Sequence, residues 1–401
     1  MTGTDDRLRA TQSALLRPPS RRSDIASFIV MDVMRAAADR EAAGAKVIHM
    51  EVGQPGTAAP KAARDAVTRA LDSEPLGYTL ALGMEALRAR IARLYRDWYG
   101  VDVAPERIVV TNGSSAAFVL AFLAAFDTGA RVGLPSPGYP CYRHILSTLG
   151  CAPSIIEADA TTRWMPTAGQ IAAADTAAKL DGVLLASPAN PSGTMLQPER
   201  LAEIIDVCRA RGIWFISDEI YHGLTYGMPE QTALSHSDGV IVINSFSKYF
   251  SMTGWRVGWM VVPPGLVRTV ERLAQNFYIS PPAVAQVAAL GAFNGIDELE
   301  DNKAVYRANR DLLLNELPRA GIDQIMPADG AFYLYADVSR FTDDSVTFAS
   351  QMLQEIGIAA TPGIDFDTAR GKHFVRFSYS GTTADMAEAA RRLRAWRRIS
   401  R

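Results

Sequence analysis

Apolar residues fall along this chain in two regimes. Between Arg107 and Val262, short apolar runs of four to six residues recur without period-two alternation: Ile108–Thr111, Arg131–Leu134, Ser154–Glu157, Gly182–Ala186, Ile213–Ser217 and Val240–Asn244. Such runs suit strands covered on both faces. The segments between them have helical spacing, so the stretch reads as βαβ units in a parallel sheet. Arg256–Val262 reads as one added strand, parallel or antiparallel.

Outside that stretch the spacing changes. Ile25–Ala43 carries apolar residues at Ile25, Phe28, Ile29, Val33 and Met34 and stops near Gly44, as an amphipathic helix does. Val47–Val52 is a short strand followed by the turn Gly53-Gln54-Pro55-Gly56. Pro60–Ser73 and Met84–Tyr99 are helical by pattern. After Pro263 and Pro264 comes a helical stretch, broken near Ser280-Pro281-Pro282 and running to about Leu317. The tail alternates again, with strand Ala331–Val338, helix Val346–Ile356, strand Phe374–Tyr379 and an arginine-rich helix Thr383–Arg397. The expected organisation is a large α/β unit over 47–290 and a small α+β unit over 291–401. An N-terminal arm and helix, 1–46, joins the small one; its polar residues 1–24, with Pro18 and Pro19, form the arm.

Composition narrows the partners more than the fold. A chain of 401 residues suggests two to three units. Apolar content of 48%, charged content of 21% and a formal net charge of -2 are ordinary for a globular protein and point to neither nucleic acid nor an anionic membrane. The first residues lack the apolar core of a signal peptide. The longest strongly apolar segment, Ala116–Phe126, is too short to span a bilayer. Cys141, Cys151 and Cys208 are odd in number and lack metal-ligand spacing, which suggests reduced thiols and a cytoplasmic location. The five histidines are scattered, and no metal site is expected.

In open α/β sheets, ligands sit beyond the carboxyl ends of the strands. After the first buried run comes Asn112-Gly113-Ser114-Ser115, opening a helix; it is either an anion site or plain capping. After Gly182–Ala186 comes Ser187-Pro188-Ala189-Asn190-Pro191, where Asn190 is a donor to a ligand or a turn asparagine. After Ile213–Ser217 comes Asp218-Glu219-Ile220-Tyr221-His222. An aspartate there faces a cation or caps a helix; a metal set of Asp218, Glu219 and His222 lacks a further ligand, and Glu219 lies off their shared face. The last stretch, Asn244–Met260, holds Lys248, one of six lysines, between Ser245, Ser247, Tyr249 and Phe250, with Arg256 following. In apolar surroundings an ammonium loses its proton readily, and the neutral amine attacks an aldehyde. The alternative is a lysine on an exposed loop. Together these loops offer the groups that pyridoxal phosphate (PLP) needs: an amine for the aldehyde, an anion site for the phosphate and an acid for the ring nitrogen.

At this point the sequence resembles the class I/II aminotransferases of PLP fold type I, nearest in character to the alanine/aspartate/aromatic subgroup. The matching pieces are NGSSAA (112–117), SPANPSG (187–193), SDEIYHG (217–223), SFSKYFSMTGWRVGW (245–259) and Arg376 in HFVRFSYS. The resemblance implies a mainly parallel seven-stranded sheet with helices on both faces, plus a small α+β domain. It implies that Lys248 forms the internal aldimine and shuttles the proton, that Asp218 pairs with the ring nitrogen, and that Asn190 and Tyr221 bond the phenolate oxygen. Tyr139 would stack on the ring and Ile220 would pack on its other face. Ser114, Ser115, Ser245, Ser247 and Arg256 would surround the phosphate, and Tyr78 would reach a phosphate across a homodimer interface.

Arg376 would clamp the substrate carboxylate, with the Gly53 backbone beside it. A surface arginine is the alternative; the alternating apolar strand and the planar guanidinium favour the clamp. Ile25, Phe28 and Ile29 would line the side-chain pocket and favour apolar over dicarboxylic substrates. Arg21, Arg22 and Arg143 are candidates for a distal carboxylate partner. The implied activity moves an amino group from an L-amino acid to a 2-oxo acid by a ping-pong mechanism. A carbon–sulfur lyase of the same fold is the alternative, and a non-catalytic PLP-binding regulator is disfavoured because residues 1–50 are too short for a DNA-binding domain.

Overall fold

The computed structural model describes residues 17–399. The expected arm lies, over residues 1–16, outside the described residues. The chain opens with helix α1 (Ile29–Ala42), strand β1 (Ile48–Met50) and helices α2 (Lys61–Ser73) and α3 (Glu85–Tyr99). Strands and helices then alternate: β2 (Ile108–Thr111), α4 (Gly113–Ala125), β3 (Arg131–Ser136), α5 (Pro140–Thr148), β4 (Ala152–Glu157), α6 (Ala168–Ala177), β5 (Gly182–Ala186), α7 (Pro198–Arg211), β6 (Trp214–Asp218), β7 (Ile241–Ser245) and β8 (Gly258–Val261). Helices α8 (Val267–Tyr278), α9 (Ala283–Ala292) and α10 (Ile296–Arg319) lead to β9 (Tyr333–Asp337), α11 (Ser345–Ile356), β10 (Ile358–Pro362), β11 (Phe374–Ser378) and α12 (Thr383–Ala395).

Seven strands form the larger sheet in the order β2-β8-β7-β6-β5-β3-β4. Only β8 runs antiparallel to its neighbours, β2 and β7; the remaining pairs are parallel. The missing alternation in these runs has a direct cause. Val109, Leu184, Ile216, Ile241, Ile243 and Met260 pack on one face with Phe118, Phe122 and Val270. Their neighbours Val110, Val183, Leu185, Phe215, Val242 and Trp259 pack on the other. Successive side chains point to opposite faces, and both faces are covered. Each fully buried large apolar side chain contributes about 1.5–3 kcal/mol, so the strand ends are firmly held.

The smaller sheet has four strands in the order β1-β10-β11-β9. β1 pairs with β10 in parallel, Ile48 opposite Ile358. The sequence division at residue 47 put this strand in the larger unit. It hydrogen-bonds instead in the smaller sheet, because Ile48 and Met50 bury their side chains there and leave His49 outside. β10 itself, IAATP, escaped the sequence reading; it follows α11 after a single glycine, and with two alanines, a threonine and a proline it makes a weak apolar run. α1 starts at Ile29 rather than Ile25. Phe28 is the extended residue before it, with no side-chain cap.

Candidate active site

The strand ends of the larger sheet and Arg376 of β11 enclose a cavity of about 250 Å³. Asp218 is the last residue of β6 and is buried. Its Oδ2 accepts a short hydrogen bond from the Tyr142 hydroxyl, and its Oδ1 accepts the Ile220 N–H at 3.0 Å. Burial pushes the Asp218 carboxyl up to about 6, against those two hydrogen bonds. Lys248 follows β7, and its Nζ donates to the Gly53 carbonyl. Burial pulls the Lys248 ammonium down to about 8, assisted by the positive charges of Arg376 and Arg256. The two groups are thus displaced toward their neutral forms. A cation facing Asp218 reverses its shift: unit charges ~4 Å apart attract by about 4 kcal/mol at an effective dielectric near 20, which is about three pKa units.

Asn190 and Tyr221 stand beside them. The Asn190 Oδ1 accepts from Arg376 Nη1 at 2.9 Å, so its amide N–H groups are the part left to a ligand. Tyr221 is buried, its hydroxyl 2.8 Å from the Tyr333 hydroxyl. Ile220 and Tyr139 also line the cavity, and Tyr139 meets Tyr142 edge-on with ring centroids 5.2 Å apart.

The other end of the cavity is an anion cradle. Ser114 and Ser115 open α4, with Ser247 and Arg256 across from them. Gly113 has φ +75°, and a Cβ there would lie 2.3 Å from Arg256 Nη2. The guanidinium therefore lies against the first turn of a thirteen-residue helix, where free N–H groups and the helix dipole favour an anion. Ser245 departs from expectation. It is buried behind this surface, outside the cavity lining, and its hydroxyl donates to Ser247 Oγ at 2.9 Å. The cause is strand alternation: Ser245 still belongs to β7, while Ser247 lies past its end.

Arg376 is buried in β11. Its Nη2 donates to the Glu51 carbonyl and, at 3.2 Å, to Thr361 Oγ1. Its Nε is buried without a partner, and the rings of Tyr333 and Phe366 flank the guanidinium at 4.3 and 4.7 Å. A partly satisfied planar donor in a cavity suits a carboxylate. Gly53 lies at the lining, and a Cβ there would sit 2.0 Å from the Tyr333 hydroxyl.

The remaining wall comes from the N-terminal segment: Phe28, Val30, Met31 and Met34. Phe28 meets Tyr139 edge-on at 5.9 Å. Ile25 and Ile29 do not line the cavity; Ile25 precedes the helix and is exposed. Arg21 and Arg22 are exposed and away from the lining, and Arg143 donates to the Asp365 carbonyl instead. Tyr78 is 83% exposed, outside the cavity of this chain. Sequence reasoning passed over Tyr142, Tyr333, Met31 and Met34. A tyrosine in an apolar pattern reads as core, and only the partners shown here distinguish it.

The amine, buried acid, anion cradle and donor pair fit PLP: Asp218 suits a cationic ring nitrogen, and the α4 start suits a phosphate. The Aminotransferase class I and II family matches residues 45–393. A valine–pyruvate aminotransferase of Mycobacterium tuberculosis is 49% identical over 379 residues, 94% of this chain and 97% of its own. The crystal structure of an aminotransferase from Mycobacterium tuberculosis is similar at a TM-score of 0.93 and 49% identity, covering 95% of this chain and 99% of that one. Aspartate aminotransferase from Thermus thermophilus with maleate is similar at a TM-score of 0.89 and 28% identity, covering 95% and 100%.

Proposed function

We infer, from the premise that this chain belongs to the class I and II aminotransferases and moves amino groups by a PLP-dependent ping-pong route, that its amino donor is an apolar aliphatic L-amino acid. With the family's amino-group transfer, the lyase and regulator alternatives fall away. The observation that carries the substrate reading is the apolar wall. Phe28, Val30, Met31, Met34 and Tyr139 line it, and among the described lining residues the arginines are Arg256 and Arg376 alone. Both have uses near the cofactor and the α-carboxylate. A second substrate carboxylate would be buried without a cation, which is costly. The valine–pyruvate activity in the name of the Mycobacterium tuberculosis relative supports the same class, with a small 2-oxo acid such as pyruvate as acceptor.

PLP, when bound, supplies an aldehyde for the amine and a cationic ring that takes up an electron pair from the substrate Cα. In the proposed arrangement Asp218 would keep the ring nitrogen protonated, and Tyr139 and Ile220 would cover the ring. Asn190 and Tyr221 would donate to its phenolate oxygen, and Ser114, Ser115, Ser247 and Arg256 would hold the phosphate. Arg376 orients the substrate carboxylate, with the Gly53 backbone beside it. Lys248, with its ammonium already pulled down to about 8, would take the Cα proton as a neutral amine.

A homodimer belongs to the same proposal. Tyr78, Leu80, Phe277 and Ile279 are exposed apolar residues on two segments tied together by Gln286, which donates to Thr79 Oγ1 and the Pro281 carbonyl. Their burial against a second copy brings Tyr78 to the partner's phosphate. A cytoplasmic location is proposed on the three free cysteines.

The test is a single-turnover half-reaction followed by cofactor absorbance across a panel of amino acids. Valine and alanine should exceed aspartate and glutamate in kcat/KM by about a hundredfold, the discrimination expected of a site lacking the needed polar partner. Equal reaction of aspartate and valine overturns the substrate class.

A further inference from the structure

Tyr333 touches three parts of the site at once. It belongs to β9, pairs across β11 with Ser378, and is fully buried. Its ring centroid lies 4.3 Å from the Arg376 guanidinium carbon. Its hydroxyl is 2.8 Å from that of Tyr221, and the two rings meet edge-on at 5.7 Å. The same hydroxyl packs so closely on Gly53 that a Cβ there would come within 2.0 Å. Gly53 in turn accepts the Lys248 ammonium through its carbonyl.

A phenol has one proton to donate. Burial raises both phenols above their usual range, so both keep that proton. Two such hydroxyls share a hydrogen bond in one direction at a time. If Tyr221 donates to Tyr333, it presents only lone pairs to the cavity, and an anionic oxygen there is repelled. If Tyr333 donates to Tyr221, the Tyr221 proton is free to point into the cavity. Among the described residues the Tyr333 hydroxyl has no other hydrogen-bond partner, so the second direction satisfies every group.

We propose that Tyr333 is a positioning residue: its hydroxyl donates to Tyr221 and so directs the Tyr221 proton to the cofactor's phenolate oxygen, while its ring steadies Arg376 for the substrate carboxylate. This rests on the cofactor placement proposed above. Chained hydrogen bonds strengthen one another, so the donated bond from Tyr333 makes Tyr221 a better donor. That donation stabilises the negative oxygen. Weaker donation from Tyr221 would leave more negative charge on that oxygen, so a proton held beside it would be harder to remove.

The two functions separate in two variants of the PLP-loaded protein. Tyr333→Phe keeps the ring and loses the hydroxyl; Tyr333→Leu loses both. The pH midpoint of the cofactor absorbance should rise by about half a unit in Y333F, with KM for the amino acid within about twofold of the parent because the ring remains. Y333L should show the same midpoint rise and a KM about tenfold higher, since the contact of ring and guanidinium is gone. An unchanged midpoint in Y333F, or equal KM increases in the two variants, overturns the proposal while leaving the cofactor placement intact. A parent protein that binds no PLP, or whose bound PLP shows no midpoint, overturns both. Y333F preserves the packing volume, so it decides the hydroxyl's part even where Y333L does not fold.

Discussion

Asn190 and Lys248 follow β5 and β7 and Asp218 ends β6, three adjacent strands buried in the larger sheet, whereas Phe28, Val30, Met31 and Met34 enter the same cavity from α1 and the residue before it. The first group is fixed by pairing register, with Ala186 opposite Asp218 and Asp218 opposite Ile243. A slip in one strand would displace the acid relative to its neighbours. The second group is held by a small cluster in which Val33 and Ala37 pack against Val47, Leu353 and Ala359. Its members touch the cavity through side-chain shape alone. The difference separates two tasks. Groups that move protons sit on elements that cannot shift, and groups that choose among side chains sit on an element whose residues can be exchanged without disturbing the sheet.

The largest effect should come from the fixed side. Lys248→Ala removes both the amine for the aldehyde and the base for the Cα proton. Turnover should fall by at least about 10⁴-fold, more than a general base alone contributes, with the fold unchanged by circular dichroism. A loss below a hundredfold would break the comparison, because the strand-end lysine would then be a bystander.

Asp218 sharpens the same contrast through stability. Its carboxyl rises from 3.8 to about 6 on folding, chiefly through burial. The folded value lies above the unfolded one. Its contribution to stability is therefore full below about pH 4 and is lost as pH rises through about 6. Above that pH the protein without cofactor keeps a buried charge at a cost of about 3 kcal/mol. Asp218→Asn removes the charge but weakens one of the two hydrogen bonds from Tyr142 and Ile220. The net gain is about 2 kcal/mol in denaturant unfolding at pH 8, falling toward zero or below near pH 4. The same variant should lose PLP-dependent turnover. A variant less stable than the parent at pH 8 would mean that Asp218 is a structural cap.

How legible each side was follows from the same physics. Lys248, Asp218 and Asn190 announce themselves because polar residues right after fully buried runs stand out, and the run ends mark the ligand-binding edge. Ser245 is harder to read, since β7 ends on it and its hydroxyl meets Ser247 Oγ and the Val257 carbonyl, contacts that a run of apolar residues does not encode. The family resemblance places Ile25 at the wall, and apolar spacing that continues past the true helix start offers nothing against it. The boundary at Phe28 has no Ser, Thr, Asp or Asn cap to mark it. Tyr142 and Tyr333 were invisible for a different reason. Their roles depend on partners 76 and 112 residues away, which no local pattern encodes.

The smallest effect belongs to the exchangeable side, and it tests whether that side selects at all. Met34 lies on α1, half-buried, and lines the cavity. Met34→Ala shortens the wall without touching Asp218, Lys248 or Arg376. A flexible thioether adapts to several apolar neighbours, so its loss should leave alanine almost unaffected. Valine loses a contact, and a longer side chain such as leucine gains room. The ratio of kcat/KM for leucine over valine should rise by about tenfold, the value of roughly one to two methylenes in an apolar pocket. The thermal midpoint should move little, because Met34 is not part of the fully buried core. If all three substrates slow by the same factor, α1 positions the site as a whole, and the division between fixed chemistry and exchangeable selectivity fails at this residue.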